Sequence, residues 1–163
     1  MPFQELANVG PGFELMMKTC LILNGSSGAA WDTEARAYIE SEAEERMKEN
    51  VDTIVFGWLQ AVSLPVQLAV CAERFGNLEL GMRFLDLDPH VWIQGVHHNV
   101  CVRSYIRGRL LSKLAKTAPN ENERQQRTQA SVALMEQAVA AASGMSMPLL
   151  AAMVRPAKPF AFS

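Results

Sequence analysis

Apolar residues recur at every fourth position from Trp31 through Ala35, Ile39 and Ala43 to Met47, the spacing of one face of an α-helix. The opposite face carries Glu34, Glu40, Glu42, Glu44, Glu45 and Glu49, with Arg36, Arg46 and Lys48 among them. The pattern predicts a helix that starts near Trp31 to Thr33, with a narrow apolar stripe inward and an acidic surface outward. Glu42 with Arg46 and Glu44 with Lys48 are i,i+4 pairs in the favourable orientation, each worth about 0.2–0.5 kcal/mol.

The neighbouring segments also read as helical. Gly10-Pro11-Gly12 precedes a helix from Phe13 to about Leu23, which stops at Asn24-Gly25-Ser26-Ser27-Gly28. From Thr53 to Phe75 apolar residues lie all round the helix: Ile54, Val55, Phe56, Trp58, Leu59, Val62, Leu64, Val66, Leu68 and Val70. A helix apolar on every side is buried on every side, so this one should be central. Pro65 should kink or split it, because proline lacks the backbone donor and clashes one turn back. Gly76-Asn77 ends it, and a short helical turn over Leu78–Leu85 follows.

Asp88-Pro89 is a strong helix start, an N-cap residue followed by proline in the first turn. A helix from Pro89 to about Lys116 would be roughly 40 Å long at 1.5 Å per residue. Trp92, Val96, Val100, Ile106, Leu110 and Leu114 share one of its faces. Pro119-Asn120 breaks it. A last helix runs from about Glu121 to Ser143, with Val132, Met135, Val139 and Ala142 inward and Gly144 at its end.

No stretch alternates with period two well enough to be a strand. The expectation is an all-α fold: a single compact domain of five to six helices, residues 1–144, around the central apolar helix. Residues 145–163 form an extended, apolar tail containing Pro148, Pro156 and Pro159. Its Phe160 and Phe162 are too apolar for solvent and should pack on this domain or on a neighbouring copy.

Charge changes the picture. Residues 1–100 carry 14 acidic and 6 basic side chains, and residues 101–163 carry 3 acidic and 9 basic, within a total of 17 acidic and 15 basic. A near-neutral sum thus hides a strongly dipolar chain, and separated opposite charge is a basis for docking. Three widely spaced cysteines, Cys20, Cys71 and Cys101, include no CxxC pair and fit a reducing compartment. No signal peptide or transmembrane segment is legible, which predicts a cytoplasmic or intracellular protein, whether of its own cell or associated with a virion.

Catalytic chemistry finds little support. GxSxG, GxGxxG and GxxxxGK[ST] are all missing from the sequence. His97 and Cys101 stand at i and i+4, close enough to share a metal ion, but a zinc site needs three or four ligands and the sequence supplies no others nearby. This pair is the single handle for a small enzyme or metal-dependent protein. The expectation is no metal, no cofactor, no small-molecule substrate and no catalytic residue. His90, His97 and His98 on one helix are candidate pH sensors.

The basic cluster is the better candidate: Arg103, Arg107, Arg109, Lys113 and Lys116 on the long helix, then Arg124 and Arg127 on the next. Cations at a helix C-terminus complement its dipole, which accounts for Lys113 and Lys116. Arg103, Arg107 and Arg109 lie further upstream, and Arg124 and Arg127 sit near a helix start, where cations are unfavourable. These residues imply a partner within the chain, in another copy, or in an anionic polymer or membrane.

The leading expectation is therefore a non-enzymatic structural or assembly protein, a homo-oligomer. Glu40, Glu42, Glu44, Glu45 and Glu49 of one copy would face the basic stretch of the next, with Phe160 and Phe162 across the contact. In broad character such a chain resembles capsid, matrix and nucleoprotein subunits of viruses, although it carries no family motif. The alternative is a protein that binds nucleic acid or an anionic membrane through residues 103–127.

Overall fold

The computed structural model describes residues 11–25, 28–49, 64–87 and 97–144, leaving aside the side chains of 11–13, 29, 97–99 and 144. Seven helices and no strand occur among the described residues, so the fold is all-α. The helices are α1 (Pro11–Leu23), α2 (Ala29–Ser41), α3 (Ala43–Glu49), α4 (Leu64–Arg74), α5 (Leu78–Asp86), α6 (His97–Lys116) and α7 (Glu121–Gly144). None is long and apolar enough to cross a membrane. The sequence marks a boundary only at Gly144; the contacts divide the chain into two compact units, Met1–Pro89 and His90–Ser163.

In the first unit α4 is the hub, packing against α1, α2 and α5. Leu64, Pro65, Val66, Leu68, Ala69, Cys71 and Ala72 are all buried, while Val70, expected to be buried with them, is half-buried. Pro65 is the second residue of α4 and is buried. The expected helix before it, from Thr53, lies outside the described residues. Gly76 ends α4 with φ +79°. The Asn77 N–H reaches the Ala72 carbonyl at 2.9 Å and the Gly76 N–H the Glu73 carbonyl at 3.0 Å, a Schellman closure that requires the left-handed residue. Asn77 then caps α5, its side chain accepting from the Leu80 N–H at 3.2 Å.

The acidic helix is interrupted where the sequence pattern is continuous. Glu42, at φ −119°, separates α2 from α3. The apolar stripe survives the break, with Ala35, Ile39, Ala43 and Met47 all buried and Trp31 half-buried. Backbone bonding also carries across, Glu42 N–H to the Tyr38 carbonyl at 2.9 Å and Arg46 N–H to the Glu42 carbonyl at 3.0 Å.

The second unit is built on the hairpin of α6 and α7. Asn120 caps α7, accepting from the Glu123 N–H at 2.8 Å, so Pro119-Asn120 is the turn that the sequence predicts. The face that α6 turns to α7 is not the one carrying its large apolar residues. The Cys101 thiol donates to the Ala138 carbonyl at 3.2 Å, and the Ser131 hydroxyl donates to the Gly108 carbonyl at 2.7 Å. Cys101, Ser104, Gly108 and Ala115 are buried on α6, and Ser131, Met135, Ala138 and Ala142 on α7. Seven residues along one helix match seven along the other, as in an antiparallel coiled coil, with small side chains in the seam. A methyl group on Gly108 would lie 3.1 Å from Met135 Cε and 3.2 Å from the Ser131 carbonyl oxygen. The small face therefore has a structural purpose: without side chains in the way, two backbones approach closely. Ile106, Leu110 and Leu114 are buried as well.

Candidate interaction surface

On the acidic side, four of the five glutamates expected to meet a partner are held by cations of their own unit. Arg36 Nε lies 3.2 Å from Glu40 Oε1, Arg46 Nη1 3.6 Å from Glu49 Oε2, and Lys48 Nζ 3.1 Å from Glu45 Oε1. Glu44 takes two cations, Lys48 at 3.4 Å and Arg83 of α5 at 3.3 Å. Glu42 alone of the five makes no ion pair among the described residues. These pairs are mostly exposed, so each contributes little stability while reducing the charge on offer.

The seven basic candidates separate into three groups. Arg124 pairs with Glu121 and Arg127 with Glu123, one turn apart at the start of α7. Arg127 also donates to the Leu114 carbonyl at 2.9 Å, closing the end of α6. Their position near a helix start is thus offset by two adjacent carboxylates. Arg103 and Arg107 are half-buried, and both are engaged by other groups. On the other flank of α6 the Arg109 guanidinium lies over the Tyr105 ring, 5.3 Å from its centroid. Lys113 and Lys116 continue that flank and are exposed.

The division of charge follows the division of structure. The first unit, Met1–Pro89, contains 14 acidic and 6 basic residues, a net of −8; the second, His90–Ser163, contains 3 acidic and 9 basic, a net of +6. In the second unit two of the three carboxylates, Glu121 and Glu123, are held by Arg124 and Arg127.

Of the histidines, His97 and His98 stand in the first turn of α6. Their side chains, together with His90, Phe160 and Phe162, lie outside the described residues. Cys101 points into the seam, where burial pushes its thiol up from its ordinary range. No group of three or more His, Cys, Asp or Glu among the described residues could hold a metal ion.

Sequence reasoning missed a buried polar cluster in the first unit. Glu14 and Lys18 are each 6% exposed, and Lys18 Nζ lies 2.6 Å from Glu14 Oε1. The same ammonium stands 4.1 Å from the centroid of the Tyr38 ring, on α2. Burial, then the neighbouring Glu14 and Glu42, pushes the Tyr38 hydroxyl well above the usual tyrosine range. The i,i+4 spacing of Glu14 and Lys18 inside an apolar segment was the available signal. The first unit also has an open cleft of about 270 Å³ lined by Asp32, Thr33, Arg36, Arg74 and Phe75.

Comparison with known protein families, with characterised proteins and with solved structures finds no match to this chain.

Proposed function

We propose that the protein is a non-enzymatic assembly subunit, in which the acidic first unit of one copy associates with the basic second unit of another. The observation that carries this reading is the charge division, −8 against +6, falling at the junction of the two compact units. Opposite patches on different units of one chain are complementary between copies, and such a contact is heterologous. It generates rings where the rotation closes and filaments where it does not. Local pairing of Glu40, Glu44, Glu45 and Glu49 leaves association to the net field of each unit and to Glu42, so the contact is weak and salt-sensitive. Exposed charges attract one another over about 10 Å at 0.1 M salt.

Light scattering across protein and salt concentration tests this. The expected result is a mass that rises with protein concentration in low salt and falls as salt is added. Glu42→Gln combined with Glu45→Gln and Glu49→Gln lowers the mass at a given concentration. A monomer at high concentration in low salt overturns the reading.

A further inference from the structure

We infer that one flank of α6, formed by Tyr105, Arg109, Lys113 and Lys116, is a contact surface for single-stranded nucleic acid. This goes beyond self-association and does not depend on it. At 100° per residue these four side chains project within about 80° of one another. Arg103 and Arg107 project about 120° and about 160° from the middle of this group, toward the other side of the helix. The flank borders the α7 seam, where the half-buried Tyr105 packs against the cluster of Cys101, Ala138 and Ala142. That packing fixes its ring, and the ring in turn supports the Arg109 guanidinium, 5.3 Å from its centroid.

The combination suits a polyanion with exposed bases. A planar guanidinium laid on an aromatic ring is a surface on which an unstacked base can stack, and single-stranded binders combine such platforms with cations that follow the backbone. Lys113 and Lys116, exposed and one and two turns beyond the half-buried Arg109, supply those cations. The helix dipole explains why lysines are tolerated in the last turn of α6 but not why Arg109, further upstream, is held on a tyrosine.

Fluorescence anisotropy with a labelled oligothymidylate, titrated with the full chain at several salt concentrations, provides the test. Binding is expected at low salt, tighter than to a duplex of equal length. The variant R109Q/K113Q/K116Q should bind at least tenfold more weakly, and its log–log salt slope should be shallower by about 2, from three lost contacts at about 0.7 each. The double variant K113Q/K116Q, which leaves Tyr105 and Arg109 intact, should lower the slope by about 1.4. Arg109→Lys keeps the charge but removes the stacking plane, so affinity should fall about fivefold or more with the slope unchanged. Arg124→Gln, already paired with Glu121, should leave both quantities close to wild type. The proposal is overturned by no binding at low salt, by a triple variant that binds like wild type, by equal affinity for duplex, or by binding to phosphatidylserine vesicles but not to the oligonucleotide.

Discussion

The Ser131 hydroxyl donates to the Gly108 carbonyl across the α6–α7 seam at 2.7 Å, at the point where a side chain on residue 108 would press on Ser131 and Met135. Gly108→Val should therefore force the helices apart and lower stability by about 2 kcal/mol, within the usual range for overpacking. Gly108→Ala should cost less, because alanine regains up to about 1 kcal/mol of helix propensity. Ser131→Ala should cost about 1 kcal/mol through the lost hydrogen bond. Urea denaturation of the three variants gives the order, and a Gly108→Val protein as stable as wild type would falsify the close approach.

The Glu14–Lys18 pair should behave as a buried one. Lys18→Met leaves a buried carboxylate uncompensated and should cost about 3–5 kcal/mol. Replacing both members, Glu14→Leu with Lys18→Met, should return most of that loss, since an apolar pair of similar volume removes two desolvation penalties at once. A double variant as unstable as the single one would show that the pair organises α1 in some further way. By contrast Arg83→Ala, which breaks an exposed pair to Glu44 at 3.3 Å, should cost less than about 1 kcal/mol.

Stability should decline at alkaline pH. Burial pushes the Cys71 thiol up to about 12 and the Tyr38 hydroxyl up as well. Both are groups whose folded value exceeds the unfolded one. Their contribution is complete below the unfolded values, about 8.5 and about 10, and is lost as pH rises above them. Each adds a slope of up to about −1.4 kcal/mol per pH unit in its window. Cys71→Ala should weaken the earlier onset, which the buried Cys101 thiol shares, and Tyr38→Phe should remove the later one, as read from denaturation curves between pH 8 and pH 11.

The three thiols should differ in reactivity. Cys20 is half-buried, while Cys71 and Cys101 are fully buried and have raised values. An aromatic disulfide reagent at neutral pH should label Cys20 in the folded protein and the other two only in denaturant. Rapid labelling of all three under native conditions would contradict the packing of α4 and of the hairpin.

Much of the helical pattern was legible because it depends on local features. Asn24-Gly25, Gly76-Asn77 and Pro119-Asn120 all mark helix ends as expected, since left-handed and capping residues act within a few positions of themselves. The stripe of Ala35, Ile39, Ala43 and Met47 is buried as its period required. The interruption at Glu42 was not legible, because nothing in its neighbours' types forbids a continuous helix. On α7, Met135 and Ala142 are buried as expected, but Val132 and Val139 are only half-buried and Ser131 and Ala138 take the seam. Hydropathy ranked valine above serine and alanine; close approach of two backbones reversed that order.

The sequence by itself determined the all-α class, the main helix stops and the separation of charge, because propensity, turn chemistry and composition are properties of short segments. Only the tertiary structure decided which charges meet. It placed Arg83 of α5 on Glu44, Arg124 and Arg127 on their own helix-start carboxylates, and Lys18 in a buried site beneath Tyr38. It also set the Arg109 guanidinium over Tyr105, a ring packed against the α6–α7 seam. Ion pairing falls off within a few ångströms, so the effect of a charge depends on neighbours that the fold, and not the order of residues, brings to it.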